Sequence, residues 1–417
     1  MDEQKTLARR IGTRDAVFIG LGSMIGAGVF VAFAPAARAA GAWLPAGLAL
    51  AAVIAYCNAT SSARLAARYP SSGGTYVYGR ERLGEFWGHL AGWGFVTGKT
   101  ASCAAMTLTV VTYAAPGLGQ PWRGLFVVAV VAALTGLNYR GVQRSAFATR
   151  LIVSVTLTIL ALAVAAMLVG GTARAGTPVP AVTPGLGGVL EAAGLLFFAF
   201  AGYARIATLG EEVRDPARTI PRAVPIALGL ALVVYAALAF VLLYRLGPDL
   251  LGVSPDPIAE GVERSSWSWL TPAVRVGAVL AALGSLLALV LGVSRTTLAM
   301  ARDGHLPRCL AAVHPRFGVP HRAEVAVGVV VALLASTLDL RGAIGFSSFA
   351  VLAYYAIANV AALTLRPAPR VVAVLGLLGC LVLAFSLPAV SVLAGSGVLA
   401  LGALGYAIRR RYGANVR

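Results

Sequence analysis

The chain has 417 residues, of which 59% are hydrophobic and only 12% are charged, and its formal net charge is +18. Long apolar runs follow one another almost to the C-terminus, which indicates an all-α polytopic membrane protein without a separate soluble domain. The basic residues are spread over short loops and do not form one basic face, so no nucleic-acid partner is expected.

The apolar runs predict twelve membrane-spanning helices between short cytoplasmic tails at 1–14 and 409–417. The last two helices lie close together and also fit one re-entrant pair. The predicted spans are 15–38, 43–66, 84–114, 123–142, 146–169, 188–210, 222–245, 270–300, 323–338, 343–365, 371–386 and 388–408.

The loop charges give these helices an orientation. With the N-terminus inside, 25 of the 34 Lys and Arg residues fall on the cytoplasmic side and six fall outside. Cytoplasmic loops are enriched in Lys and Arg. The bias therefore predicts an even number of spans, with both termini on the cytoplasmic side of the cell membrane.

The first predicted helix contains the stretch GSMIGAGVF at residues 22–30. Three glycines in seven residues weaken a helix where no water can satisfy freed backbone groups. Unwound backbone at this depth is tolerated where it lines a cavity, so the stretch fits the floor of a binding site. Close packing between helices explains the same glycines equally well.

A second interruption lies in predicted helix 6, where Gly202 and the charged Arg205 break the apolar run FFAFAGYAR at 197–205. Two interrupted helices five spans apart point to inverted five-helix repeats with a binding site at the midplane. We therefore predict repeats at 15–169 and 188–365, followed by two further helices at 371–408. Helix N-termini would bind an anion and freed carbonyls a cation, which suits a zwitterionic α-amino acid.

Four motifs together resemble the amino acid–polyamine–organocation (APC) superfamily of amino acid permeases. They are GSMIGAGVF at 22–30, YPSSGGTYVY at 69–78, FFAFAGY with EEVRDP and TIPR at 197–222, and AMARDG at 299–304. The resemblance implies a leucine-transporter-like fold, with ten of its twelve helices in two inverted repeats and with discontinuous helices 1 and 6. It also implies alternating access through rocking of one helix bundle against the other.

The resemblance also implies roles for particular residues. The backbone amides of Ala27 and Gly28 would bind the substrate carboxylate, and the carbonyls of Met24 and Ala201 the ammonium group. Phe198 would close the site from outside. The remaining residues expected at the substrate site are Ile25, Gly26 and Gly202. Glu211 and Glu212 resemble the acidic pair of a cytoplasmic gate, although a solvated helix end explains them too.

Two positions depart from the family pattern. A lysine that many members carry in helix 5, in place of a sodium ion, is here Thr156, and an acidic position of some exchangers is Ala204. Lys99 lies near the midplane of helix 3, where a charge costs about 3 kcal/mol unless it faces a cavity or the bundle interior. One hypothesis places its ammonium at the vacant cation position near Ser285, as the coupling group or proton carrier. The other treats it as a structural lysine bound to carbonyls of an unwound segment.

The helical cores offer no second candidate for a proton carrier, because the acidic residues fall in loops or near helix ends. Arg205 is expected to pair with Glu211 or Glu212 in the cytoplasmic gate, with an anionic substrate as the alternative ligand. No acidic side chain lies near the predicted site to balance a cationic substrate. The predicted pocket is small and apolar, which favours a neutral amino acid.

The expected function is secondary transport of amino acids, by proton coupling or exchange. The partners expected are the substrate, the lipid bilayer and protons, without an obligate protein partner. No cofactor or metal is predicted, because the cysteines are scattered and Met24 alone cannot form a metal site. No nucleophile–base pair or metal cluster lies in the core, so no enzyme is expected. An antiporter of anionic or cationic substrates and a transporter-like amino acid sensor remain alternatives.

Overall fold

The computed structural model describes residues 11–70, 73–141, 146–169, 185–208, 212–366 and 370–414. Glu211 and the outer residues of both predicted tails lie outside these ranges. The described chain is almost wholly helical. Its first eight α-helices are α1 (Thr13–Met24), α2 (Ala27–Val31), α3 (Phe33–Ala40), α4 (Leu44–Arg68), α5 (Thr75–Leu83), α6 (Glu85–Ala114), α7 (Trp122–Tyr139) and α8 (Ala146–Val169). The others are α9 (Leu186–Phe200), α10 (Ala204–Ala207), α11 (Pro216–Val253), α12 (Pro257–Glu263), α13 (Thr271–Arg302), α14 (His321–Thr337), α15 (Leu340–Leu363), α16 (Arg370–Phe385) and α17 (Ala389–Ala414).

Nine segments of the described chain are long and apolar enough to cross a membrane, which fits a polytopic membrane protein. They are Thr13–Val31, Phe33–Arg68, Trp122–Tyr139, Phe147–Val169, Leu186–Ala207, Pro216–Val253, Ser268–Arg302, Leu340–Leu363 and Ala389–Arg411. The three other predicted spans fall on α6, α14 and α16. Helix α6 has 30 residues but is too polar for this criterion, whereas α14 and α16 have only 17 and 16 residues. The count of twelve therefore stays a prediction.

Helix α6 lies at the centre of the packing because it contacts both α13 and α15 along its length. A second group of contacts joins α11 to α1, α3 and α4. The two interrupted segments, α1–α2 and α9–α10, lie between these groups and contact each other. Small residues allow this close approach, because eight of the nineteen buried residues of α1, α2 and α9 are Ala or Gly.

Candidate substrate site

The first helix breaks within the glycine stretch. Helix α1 ends at Met24 and α2 begins at Ala27, with non-helical dihedral angles at Ile25 (φ −84°, ψ 28°) and Gly26 (φ −80°, ψ −132°). The backbone amides of Ala27 and Gly28 donate to no carbonyl elsewhere in the described backbone, as expected at a helix start. The break therefore offers free N–H groups in the interior of the molecule.

The interruption of helix 6 is milder than the sequence suggests. Helix α9 ends at Phe200, a 3₁₀ turn follows at Ala201–Tyr203, and α10 continues for one turn to Ala207. Ala201 (φ −61°, ψ −3°) and Tyr203 (φ −60°, ψ −23°) keep right-handed dihedral angles. The chain is thus tightened here without being unwound, because i→i+3 hydrogen bonding stays within the right-handed region.

Two motif glycines are required by close contact between the broken helices. A β-carbon at Gly202 would lie 2.4 Å from the carbonyl carbon and oxygen of Ser23, and one at Gly28 would lie 2.7 Å from the α-carbon of Ala199. Gly28 and Gly202 also line a cavity. These two glycines therefore allow close packing of the broken helices and also border the cavity, so the packing and the binding interpretations both fit them.

One cavity collects most of the predicted site residues. Its lining includes Met24, Gly28, Lys99, Phe198, Ala201, Gly202, Arg205, Glu212 and Ser285. Phe95, Ser102 and Met106, which share a helix face with Lys99, line it as well. Ile25, Gly26, Ala27 and Thr156 do not line it. Thr156 is buried on α8, a helix that packs against α1 and α13.

The two carbonyls expected to bind an ammonium group already accept hydrogen bonds. Tyr235 Oη donates to the Met24 carbonyl at 2.6 Å and lies 3.0 Å from the Ala199 carbonyl, so it connects the two broken helices. Lys99 Nζ donates to the Ala201 carbonyl at 3.4 Å. Each carbonyl oxygen has two lone pairs, so one such hydrogen bond does not by itself use up its capacity to accept.

Lys99 is only 7% exposed, and no carboxylate lies within 4 Å of it among the described residues. Its ammonium contacts helix 6, whereas Ser285 Oγ donates to the Gly22 carbonyl of helix 1 at 2.8 Å. Lys99 and Ser285 thus line the same cavity but bind different helices. The structural hypothesis expects contacts with carbonyls of an unwound segment; the described contact is with one carbonyl, and that carbonyl belongs to a 3₁₀ turn.

Arg205, Glu212 and Arg295 line the cavity as well, at the end that the loop charges predict to face the cytoplasm. Arg205 Nη1 lies 3.5 Å from Thr208 Oγ1 and forms no ion pair with Glu212 within 4 Å, although the Glu212 and Arg295 charges both act on it. The Glu212 carbonyl accepts from the Ile11 amide at 3.1 Å, and the Arg214 amide donates back to Ile11. This backbone pairing connects the start of helix 1 with the segment after helix 6.

The second and fourth motifs meet outside the predicted spans. Tyr76 Oη donates to Asp303 Oδ2 at 2.5 Å and lies 2.9 Å from His305 Nδ1, while Arg80 forms an ion pair with Asp303 at 2.8 Å. Burial, the neighbouring His89 and the charge of Arg409 lower the pKa of His305 to about 4. Burial and the Asp303 carboxylate raise the pKa of the Tyr76 hydroxyl. Both groups are therefore neutral at pH 7.

Sequence reasoning missed three residues of this region. Tyr235 and Tyr354 are buried hydroxyls in apolar helices, and Tyr354 Oη accepts from the Thr75 amide at 2.8 Å. A lone tyrosine in an apolar span needs a hydrogen-bond partner, and this requirement is the signal that could have found them. Arg295 appeared only as one of many cytoplasmic basic residues, and its place in the cavity depends on the packing of α13.

Comparison with known proteins identifies the family. The model of the amino acid permease family matches residues 11–407. An uncharacterized transporter of Mycobacterium tuberculosis is 63% identical over 409 residues, covering 97% of this chain and 92% of that protein. The branched-chain amino acid permease BcaP of Bacillus subtilis is 28% identical over 385 residues (87% and 82%), and the methylthioribose transporter of the same organism is 28% identical over 446 residues (98% and 95%). The chain belongs to the amino acid permease family of the APC superfamily, a family of membrane transporters.

Proposed function

We propose that the protein is a secondary active transporter that moves neutral α-amino acids across the cytoplasmic membrane by alternating access. The observation that carries the proposal is the shared cavity, because both interrupted helices and Lys99 line it. The free amide of Gly28, which lines the cavity, suits a carboxylate, and the carbonyls of Met24 and Ala201 suit an ammonium group.

The proposed architecture has twelve spanning helices, ten of them in two inverted repeats, with both termini in the cytoplasm. It rests on the paired interruptions and on the charge bias of the loops. Phe198 would cover the site on the outer side, and Arg205 with Glu211 and Glu212 would form the cytoplasmic gate. The backbone pairing of Ile11 with Glu212 supports a gate that joins helix 1 to helix 6.

A neutral substrate follows from the chemistry of the lining. Met106, Phe198, Ala199 and Ala201 are apolar, and the carboxylate among the described lining residues, Glu212, lies toward the cytoplasmic end. A cationic side chain would meet Lys99 without a counter-charge. The name of the branched-chain permease relative agrees with a neutral substrate, but the methylthioribose transporter shows that relatives of similar identity carry other compounds.

Uptake and counterflow in proteoliposomes test the function. Purified protein should take up at least one member of a panel of radiolabelled neutral amino acids, whereas labelled arginine and putrescine should give no signal above protein-free vesicles. Transport of none of the amino acids would contradict the proposal. Flux that requires sodium would remove Lys99 from the proposed cation position.

Lys99→Met tests the coupling role of the ammonium group in the same vesicles. This variant keeps the length of the side chain and removes its charge, and Lys99→Arg serves as the matched control that keeps it. If Lys99 replaces a coupling cation, uptake by Lys99→Met should lose its response to a pH gradient, while Lys99→Arg should keep part of it. An unchanged rate and pH response in Lys99→Met would show that the lysine is structural.

A further inference from the structure

Glu324 is the least compensated carboxylate in the described part of the molecule. It lies in the first turn of α14 and is 0% exposed. Neither of its carboxylate oxygens has a hydrogen-bond partner among the described residues, and no ion pair reaches it within 4 Å. Burying an ionised carboxylate without hydrogen bonds costs several kcal/mol, and protonation relieves most of that cost. The surroundings of Glu324 therefore favour a bound proton.

Two further polar atoms at the contact between α14 and α7 also lack a partner in the described part of the chain. Helix α14 packs against α7, where the Tyr139 ring contacts His321. Asn138 Oδ1 of α7 and His321 Nδ1 of α14 are both buried without a partner among the described residues.

The charge that acts on Glu324 comes from Arg295 of α13. Helix α6 faces α14 with an apolar cluster that contains Cys103, and the 3₁₀ turn Arg308–Ala311 carries Arg308 and Cys309, which are exposed. The titratable and charged groups on the elements packed against α14 at this end are Arg295, Arg302, Tyr139, Cys103, Arg308 and Cys309, and the first turn of α14 itself carries His321 and Arg322. All four arginines are charged at pH 7, but Arg302, Arg308 and Arg322 are exposed, and Arg295 alone among the four lines the substrate cavity.

We infer that Glu324 binds the coupled proton of the transport cycle and that Arg295 transmits the charge state of Glu324 to the substrate cavity. This inference rests on the proposed function. With Glu324 ionised, Arg295 is attracted away from the cavity toward α14. When a proton from the aqueous phase neutralises Glu324, the guanidinium is free to attract the carboxylate of an amino acid. Release of the proton reverses the change, and no other bond forms or breaks.

Such an arrangement couples proton and substrate binding in both directions, since each ligand must favour the other by the same factor. It also connects the two parts of the molecule that alternating access moves. Arg295 lies on α13, and its charge acts on Arg205 of α10, which follows the helix 6 turn. Protonation of Glu324 therefore changes the charges that act between α13 and the segment after the helix 6 turn.

Infrared difference spectroscopy tests proton binding without any substrate. Purified protein is titrated between pH 8 and pH 4, and the carbonyl band of a buried carboxylic acid is followed. The band should appear in wild type, be absent from Glu324→Gln, and remain in Glu81→Gln, which alters an exposed glutamate of α5. An identical band in wild type and in Glu324→Gln would overturn the inference.

Transport in proteoliposomes tests the coupling, with radiolabelled leucine, serine and phenylalanine as probes. In Glu324→Gln, uptake driven by a pH gradient should fall about tenfold, within the usual range for coupled sites, while counterflow stays within about twofold of wild type. Glu324→Asp should recover part of the gradient response and also controls for folding. Unchanged gradient-driven uptake in Glu324→Gln would overturn the inference.

The same vesicles separate this inference from the proposed function. Wild-type protein that shows counterflow, but whose uptake does not respond to a pH gradient, would refute the proton-coupling role of Glu324. It would leave amino acid transport intact. Absence of both counterflow and uptake for every amino acid would refute the proposed function itself.

Discussion

The contact between Gly202 and the helix 1 break gives a quantitative prediction for Gly202→Ala. The added methyl group would lie 2.4 Å from the carbonyl carbon and oxygen of Ser23 and 2.6 Å from the amide nitrogen of Met24. These are backbone atoms, so they cannot rotate away as a side chain can. Overpacking an interior costs about 1–3 kcal/mol, and a backbone obstacle calls for about 3 kcal/mol.

A gain of about 1 kcal/mol in helix propensity offsets part of this cost, which leaves a loss of about 2 kcal/mol. That loss lowers the ratio of folded to unfolded protein about thirtyfold. Gly229→Ala is the matched control, because Gly229 lies inside α11 with no atom within 4 Å of the added methyl group. It should be neutral or slightly stabilising.

Thermal unfolding in detergent, followed by tryptophan fluorescence, measures both variants. Gly202→Ala should show a clearly lower midpoint than wild type, and Gly229→Ala should not. Equal midpoints for the two variants would refute the reasoning, because they would show that the helices can separate at this crossing without cost. Transport by Gly202→Ala should fall as well, since the same shift displaces the cavity lining.

Two further variants test a contact beside the cavity and one between the second and fourth motifs. Tyr235→Phe removes the hydroxyl that contacts the Met24 and Ala199 carbonyls. It should lower the free energy of unfolding by about 1 kcal/mol, measured by the same unfolding assay. A midpoint equal to that of wild type would show that this hydroxyl does not stabilise the fold. His305 has a folded-state pKa of about 4 against an ordinary 6.5, so its contribution to stability is present above pH 6.5 and is lost as the pH falls toward 4. His305→Gln should therefore reduce the acid-induced fall of the unfolding midpoint between pH 6.5 and 4, and an unchanged pH profile would contradict the assigned neutral state.

The sequence predicted features that depend on the local chain, and it missed those that depend on packing. Helix 1 breaks at Ile25 and Gly26, inside the predicted stretch, because closely spaced glycines weaken a helix whatever packs around it. At Gly202 the sequence predicted an interruption but not its form. One small residue at a close contact fits a 3₁₀ turn as well as an unwound segment.

Residues whose roles depend on neighbouring helices could not be found in this way. Glu324 was expected to be one of several acidic residues near helix ends, but the packing of α14 on α7 and α13 buries it completely. Arg205 was expected to pair with Glu211 or Glu212; Glu211 lies outside the described residues, and Arg205 contacts Thr208 while Glu212 acts on it from beyond 4 Å. Sequence distance predicts neither outcome, because both depend on side-chain direction across a helix interface.

The position of Lys99 and the proposed role of Glu324 fit together in a single cycle. Lys99 holds one lone pair of the Ala201 carbonyl, which is also a proposed ligand of the substrate ammonium. Two ammonium groups on one carbonyl repel each other, so substrate binding favours either a neutral Lys99 or its movement away from helix 6. When Lys99 becomes neutral, it releases a proton within the cavity. Glu324 provides a separate carboxyl that can hold a proton on α14, on the far side of Arg295 from the cavity. The pH responses of Lys99→Met and Glu324→Gln should then be non-additive in the double variant, because both changes remove charge steps of the same cycle.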